Sequence, residues 1–276
     1  MESENLEIYL NSKTSRTQVN NSLSDTADCF FSIPNIVIDE NTEQVYVSVR
    51  NASIPFSWYV VNSTNNRLDL TIDGTGYTLT ITQGNYNVNS LAVEIKAKID
   101  ALQTQHGHDG KLSITYLVKI NRFYFFHSHH QFSFLSTSTC LELIGFQDGI
   151  THISTALPFQ TQKQELTSTI GVNLFVVRQI YITSDNFILN NINASTPTNS
   201  NIIASVPVLG NPNSVINYEN TSAKHLIHHL NNISNLHISL QDQDGDLLEL
   251  NNVNWSITLE LTIIKKPVIK ITTQKK

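Results

Sequence analysis

Residues 236 to 264, LHISLQDQDGDLLELNNVNWSITLELTII, constrain the fold more than any other stretch of the chain. Apolar side chains recur at every second residue in Leu236, Ile238 and Leu240, and again in Trp255, Ile257, Leu259 and Leu261. That period sets one face of an extended strand on a core. Asp244 and Gly245 tolerate the positive φ of a tight turn, after which Leu247, Leu248 and Leu250 lead through Asn251 and Asn252 into the last run. The stretch reads as two long strands that end an antiparallel β-sandwich, with the Asp-Gly turn between them.

The rest of the chain divides by pattern. Residues 1–27 hold one short apolar alternation, Leu6, Ile8 and Leu10, then a run rich in Ser, Thr and Asn, and read as an arm that orders against something else. CFFSIPNIVI, EQVYVSVRNASI and SWYVVN follow as three strands, with Pro34 and Pro55 placing bends or bulges. Residues 66–165 change character. RLDLTIDGTGYTLTITQGNY reads as a hairpin, and NSLAVEIKAKIDALQTQHG as a helix with Leu91, Ile95, Ile99 and Leu102 on one face. Asn89 or Ser90 is expected to cap that helix and Gly107 to end it. KLSITYLV, NRFYFFH and the short TCLELIGF complete an inserted ββαββ subdomain. From about Val172 the β pattern resumes. About three strands before the insertion and about five after it give the eight of a jelly roll, with residues 28–65 and 166–266 forming one discontinuous sandwich and 267–276 a basic tail. The fold class is mainly β, a single jelly roll with a small α+β insertion.

Composition narrows the function. At 276 residues and 40% hydrophobic content the chain can bury a sizeable core, and only 14% of its residues are charged, while asparagine fills 31 positions. A net charge of −6 argues against general attraction to nucleic acid. The exception is KKPVIKITTQKK, with five lysines from Lys265 to Lys276, the one segment suited to phosphates or an acidic neighbour. Two cysteines, Cys29 and Cys140, make no disulfide framework and point to a reducing compartment. Neither a signal peptide nor a membrane span is expected from the sequence, so the seven N-x-S/T sequons follow from composition.

Four ordered patches carry a resemblance. VYVSVRNASIPFSWYVVNSTNNRL (45–68) is a strand ending in S-I-P before Trp58 and Tyr59. ITQGNYNVNSLAVEIKAKI (81–99) has a G-N-Y-x-x-x-x-L start to its helix. NIIASVPV with SVINYEN (201–220) is the third, and the D-x-D-G turn with W-S-x-T-L-x-L at the C-terminal end is the fourth. Together they resemble minor capsid and penton proteins of virophages, polinton-like elements and large DNA viruses. The resemblance implies a structural, non-enzymatic subunit of an icosahedral shell, a homopentameric penton or other minor capsid protein that contacts a major capsid protein, assembled in the host cell and not secreted. Major capsid proteins of such viruses resemble two jelly rolls in tandem and need far more residues, which favours the minor or penton class. The alternative is a carbohydrate- or receptor-binding sandwich that displays the aromatic run RFYFFHSHH (122–130).

Residue chemistry offers few competitors. His127, His129 and His130, and His225, His228 and His229, lack the cysteine or carboxylate that completes a zinc pattern, and read as exposed loop histidines near a subunit contact. Asp242, Asp244, Asp246 and Glu249 place glycine fourth, not sixth, which is wrong for an EF-hand. Cys29 beside Phe30 and Phe31, and Cys140 in a leucine-rich segment, read as core residues and not as nucleophiles. No catalytic, metal or cofactor residue is expected.

Overall fold

The computed structural model describes residues 3–15, 26–107, 111–189, 191–192, 199–228, 230 and 232–267. They belong to two compact units, Met1–Trp58 with Val177–Lys276, and Tyr59–Val176. No helix among the described residues is long and apolar enough to cross a membrane.

The first unit has eight principal strands: β1 (Ser3–Asn11), β2 (Asp28–Val37), β3 (Thr42–Pro55), β4 (Gln179–Thr183), β5 (Ile202–Pro207), β6 (Val215–Glu219), β7 (Asn232–Gln241) and β8 (Ser256–Lys265). One sheet runs β1-β8-β3-β6, with the short strand His225–Ile227 also on β3, and the other runs β5-β4-β7-β2. The chain passes from sheet to sheet at nearly every connection, the wrapping of a jelly roll. Its core is filled from both inner faces. Val47, Val49, Ile54, Leu259 and Leu261 enter from the first sheet, and Ile180, Ile182, Leu236, Ile238 and Leu240 from the second.

Two expectations are corrected here. Residues Ser3–Asn11, read as part of an arm, are the first strand of the roll, paired along their length with β8 from Ser3 opposite Ile264 to Asn11 opposite Ser256. Leu10 is 3% exposed and Ile8 8%, so the short apolar alternation had a core to enter after all. The third expected strand, SWYVVN, is instead irregular. Trp58 belongs to the roll's core, stacked on Phe56 at 4.2 Å, while Val60 and Val61 belong to the core of the second unit. The count of eight holds with one member exchanged.

β7 and β8 are strands as expected, yet they are not a pair. β7 bonds to β4 and β2, and β8 to β1 and β3, in the opposite sheet. After the Asp242–Asp246 turn the chain doubles back for one bridge, Gln241 to Leu247, and sends Leu248 and Leu250 into the core. Asn251 (φ 48°) and Asn252 (φ 60°) then reverse it. Two successive left-handed residues are tolerable for asparagine, which explains the amide pair in the sequence. Trp255 is 2% exposed and its indole donates to the Thr26 carbonyl at 2.6 Å. Its backbone N–H bonds Ser12 Oγ at 3.0 Å, so one residue ties the end of β1 and the start of β2 to β8. Pro34 lies where β2 and β7 slip register, on an edge strand that can spare an N–H, and Pro55 ends β3.

The second unit interrupts the roll between β3 and β4. Strands Arg67–Ile72 and Thr75–Thr80 form a hairpin through Asp73 (φ 51°) and Gly74 (φ 77°). Helix α1 (Val88–His106) follows, with Leu91, Ile95, Ile99 and Leu102 buried. Its cap is Asn87, in a reciprocal capping box with Ser90, not Asn89 or Ser90 as expected. Gly107, left-handed at φ 65°, ends it. Strands Leu112–Leu117 and Arg122–His127 pair next, and the unit's two four-stranded sheets are completed by Phe132–Phe134, His152–Ile153, Thr155–Leu157 and Gln160–Thr167. Phe123, Phe125, Phe132, Phe134 and Phe146 are at most 1% exposed and form a core of their own, with Phe125 edge-on to Phe134 at 4.7 Å. This unit spans residues 59–176, wider than the expected 66–165.

Candidate assembly surfaces

Strand β8 is the natural start, because it lies inside its sheet and alternates strictly. Ile257, Leu259, Leu261 and Ile263 face the core, which leaves Thr258, Glu260 and Thr262 on the outer face. Glu260 is only 6% exposed. Its carboxylate accepts Lys224 Nζ at 2.6 Å and Arg50 Nη1 at 2.8 Å, while Arg50 Nε is 3.5 Å from Glu7 and Lys224 also donates to Thr262 Oγ1 at 2.6 Å. The lysine bond, opposed by burial and helped by Arg50, holds the Glu260 carboxyl below its ordinary range. Charges from β1, β3 and β8 are thus neutralised within one face, and a neighbour packing there meets paired ions instead of bare ones. Beside it, β1 has β8 as its one strand partner among the described residues, so its outer edge is open, with Tyr9 75% exposed. An open edge is a template for pairing with another chain.

The outer face of the second sheet carries a different cluster. The His237 ring stacks on Phe30 at 4.1 Å and bridges two carboxylates, Nε2 to Asp28 and Nδ1 to Asp185 at 3.0 Å. Ser239 Oγ is 3.3 Å from Nε2, so serine, histidine and aspartate stand in a row. The row is not a nucleophile's. The Ser239 hydroxyl donates to Asp28 Oδ1 at 2.7 Å, and the residue is 6% exposed, so its proton is committed to a carboxylate and its oxygen is out of reach of a substrate. The group fastens β2 to β7. Neither cluster was found from sequence. Glu260 was the available signal, a lone carboxylate inside an apolar strand.

The residues singled out by sequence do not converge. His127 is not the exposed loop residue expected: it is buried at the end of a strand, and its Nδ1 accepts the backbone N–H groups of His129 at 3.1 Å and His130 at 3.0 Å, closing a turn. His225 starts a strand, and burial lowers its pKa. His228 bridges Ile188, and His229 lies outside the described residues. Among the described residues no three His, Cys, Asp or Glu side chains gather as a metal requires. Asp242 Oδ1 already accepts the N–H groups of Asp244 at 2.9 Å and Asp246 at 3.0 Å, and burial raises its pKa. Cys29 is 1% exposed with Sγ 3.3 Å from the Thr26 carbonyl, and burial pushes the Cys140 thiol up to about 12. In the run 122–130, Phe123 and Phe125 fill the insertion's core, while Tyr124 and Phe126 are half-buried on the other face of the strand. Of the basic tail, residues 268–276 lie outside the described residues.

A single jelly roll interrupted after its third strand by an α+β unit is therefore the class this chain defines. No family model matches the chain, and no curated protein matches it. Among solved structures, it is similar to the mavirus penton protein, at 11% identity and a TM-score of 0.53, over 96% of this chain and 100% of that one. A chain of the Sputnik virophage, solved by cryo-EM, aligns at 12% identity and a TM-score of 0.46 over 96% of this chain and 98% of that one. The chain has the fold of the mavirus penton protein.

Proposed function

We propose that this protein is a structural subunit of a viral capsid, and that its place is the penton at the vertices of a virophage-type shell. The observation that carries the reading is the fold itself, shared with the mavirus penton protein over 96% of this chain, insertion included. The surfaces support it. The charged outer face of the first sheet is internally neutralised, β1 has an open edge, and the cysteines are buried away from chemistry, which suits a protein that packs and does not react. Its partners in this reading are four further copies of itself and a major capsid protein, and its location is the virion. Multi-angle scattering of the purified chain tests the oligomer directly. Five copies of the 31.0 kDa chain, with fivefold rings by electron microscopy, support a penton. A particle that stays at one copy at every concentration, and never enters shells with the major capsid protein, removes it.

A further inference from the structure

One of the insertion's two sheets runs Thr155–Leu157, Gln160–Thr167, Arg122–His127, Leu112–Leu117. Its inner face gives Ile114, Phe123 and Phe125 to the unit's core. Strand alternation puts Tyr124 and Phe126 on the opposite face, where both are half-buried and neither packs into either core. Hydroxyls surround them: Thr115 and Thr167 lie opposite Tyr124 on the two flanking strands, and Ser113 lies opposite Phe126. The Tyr124 hydroxyl donates to Glu165 Oε2 at 3.0 Å, which fixes the ring on the sheet.

Cations frame this face. Leu112 and Gln164 both pair with His127, so Lys111 and Lys163, one step further out on their strands, stand on either side of the end beyond Phe126, and both are exposed. Arg122 begins the central strand at the other end, beside the Val118–Ile120 turn that carries exposed Lys119. Lys111, Lys119, Arg122 and Lys163 form no ion pair among the described residues, whereas Lys224 and Arg50 on the first unit's outer face are both spent on Glu260. Glu165 is the one carboxylate in the four strands, although the chain as a whole carries a net charge of −6. The two ends of the face are about 20 Å apart along the strands. Unpaired cations spread over that length call for anionic groups repeated along an extended chain, and two rings on a flat sheet offer apolar faces to stack on. Glu165 decides what kind of chain. Its Oε1 can accept a hydroxyl from a sugar, whereas a nucleic-acid backbone brings phosphates that only accept and are repelled there. We propose that this face binds a sulfated polysaccharide, with sugar rings on Tyr124 and Phe126, a sugar hydroxyl on Glu165 and sulfates on the cations at either end, a property independent of the chain's place in a shell.

Calorimetric titration of the full chain at physiological salt tests it, with heparin as the sulfated probe, unsulfated dextran, and a single-stranded oligonucleotide. Heparin should bind and dextran should not. Lys111→Glu with Lys163→Glu should weaken heparin binding about tenfold or more, while Lys96→Glu with Lys98→Glu on helix α1, the same change in net charge, should leave it within about twofold. Tyr124→Ala with Phe126→Ala should weaken it about tenfold with every cation in place, a loss that a patch of bare charge would not show. Absence of heparin binding overturns the proposal, as does an equal loss in the helix variant or an unchanged affinity in the aromatic one. Tighter binding of the oligonucleotide than of heparin overturns it too, and makes the face a nucleic-acid platform. Should the alanine pair fail to fold, Tyr124→Leu with Phe126→Leu, which keeps apolar bulk and removes the flat rings, decides in its place: unchanged heparin affinity there overturns the stacking and the proposal with it.

Discussion

In the jelly roll Ser3 lies opposite Ile264 and Asp28 opposite Ser239, whereas in the insertion Ile72 lies opposite Thr75 and Leu117 opposite Arg122. One unit is assembled from the two ends of the chain, the other from hairpins, one capped helix and pairings of intermediate range such as Leu70 opposite Phe134. Long-range pairing must first meet the entropy of closing a large loop, and local pairing meets very little of it. The insertion therefore has what it needs within residues 59–176, including its phenylalanine core. The roll has no first sheet until β1, β3 and β8 meet.

The largest test of that contrast removes β1. Deleting residues 1–11 strips one whole neighbour from β8 and takes Ile8 and Leu10 out of the core, and should unfold the roll while residues 59–176 still fold, expressed alone or within the damaged chain. Dispersed amide resonances from the insertion with collapsed ones from the roll are the expected spectrum. A fully native spectrum would restore the view of this segment as a detachable arm. Next come paired core truncations. Trp255→Ala should cost the roll about 3–5 kcal/mol and Phe125→Ala the insertion about as much, each read by chemical unfolding with probes in both units. Loss of both units from one substitution would show that they do not unfold separately.

Gly145 sharpens the insertion's side. It sits at φ 83°, and a Cβ there would lie 2.7 Å from the Ile170 carbonyl oxygen, which accepts no such approach. Gly145→Ala should therefore destabilise the insertion by about 1–3 kcal/mol and leave the roll's midpoint alone. The smallest effect is acid. The Glu260 carboxyl is held below its ordinary value of 4.5, first by the Lys224 bond, so its contribution is fully present above pH 4.5 and is lost as pH falls through the lower folded value. Glu260→Gln should cost the roll about 1.5–3 kcal/mol at neutral pH and flatten its acid limb. The insertion should keep its own acid limb, because Asp69, despite burial, is lowered by hydroxyl bonds from Thr137 and Thr78 and by Arg67. A roll whose acid limb is the same in both proteins would show that Glu260 does not carry it.

What could be read from residues alone follows the same division. Helix α1, its buried face and its Gly107 stop, the Asp-Gly hairpin and the alternation in β7 and β8 are all consequences of spacing within about twenty residues, where sequence order and spatial order coincide. The capping residue slipped by two because Asn87 and Asn89 both fit and only the backbone geometry chooses between them. Which strands are neighbours was not legible. Leu6, Ile8 and Leu10 are too few to declare a core strand until β8 is seen beside them, and the last two strands look like a hairpin until Leu248, Leu250 and Trp255 are seen crossing the core. The polar clusters belong to the same class of fact. Glu260 meets Arg50 across 210 positions and His237 meets Asp28 across 209, distances over which sequence carries no spacing rule. The sequence by itself determined which segments extend and which face of each is apolar, since both are set by side chains a few bonds apart. Only the tertiary structure decided which sheet each strand joins and which charges are paired, because those depend on surfaces that exist once the chain has closed on itself.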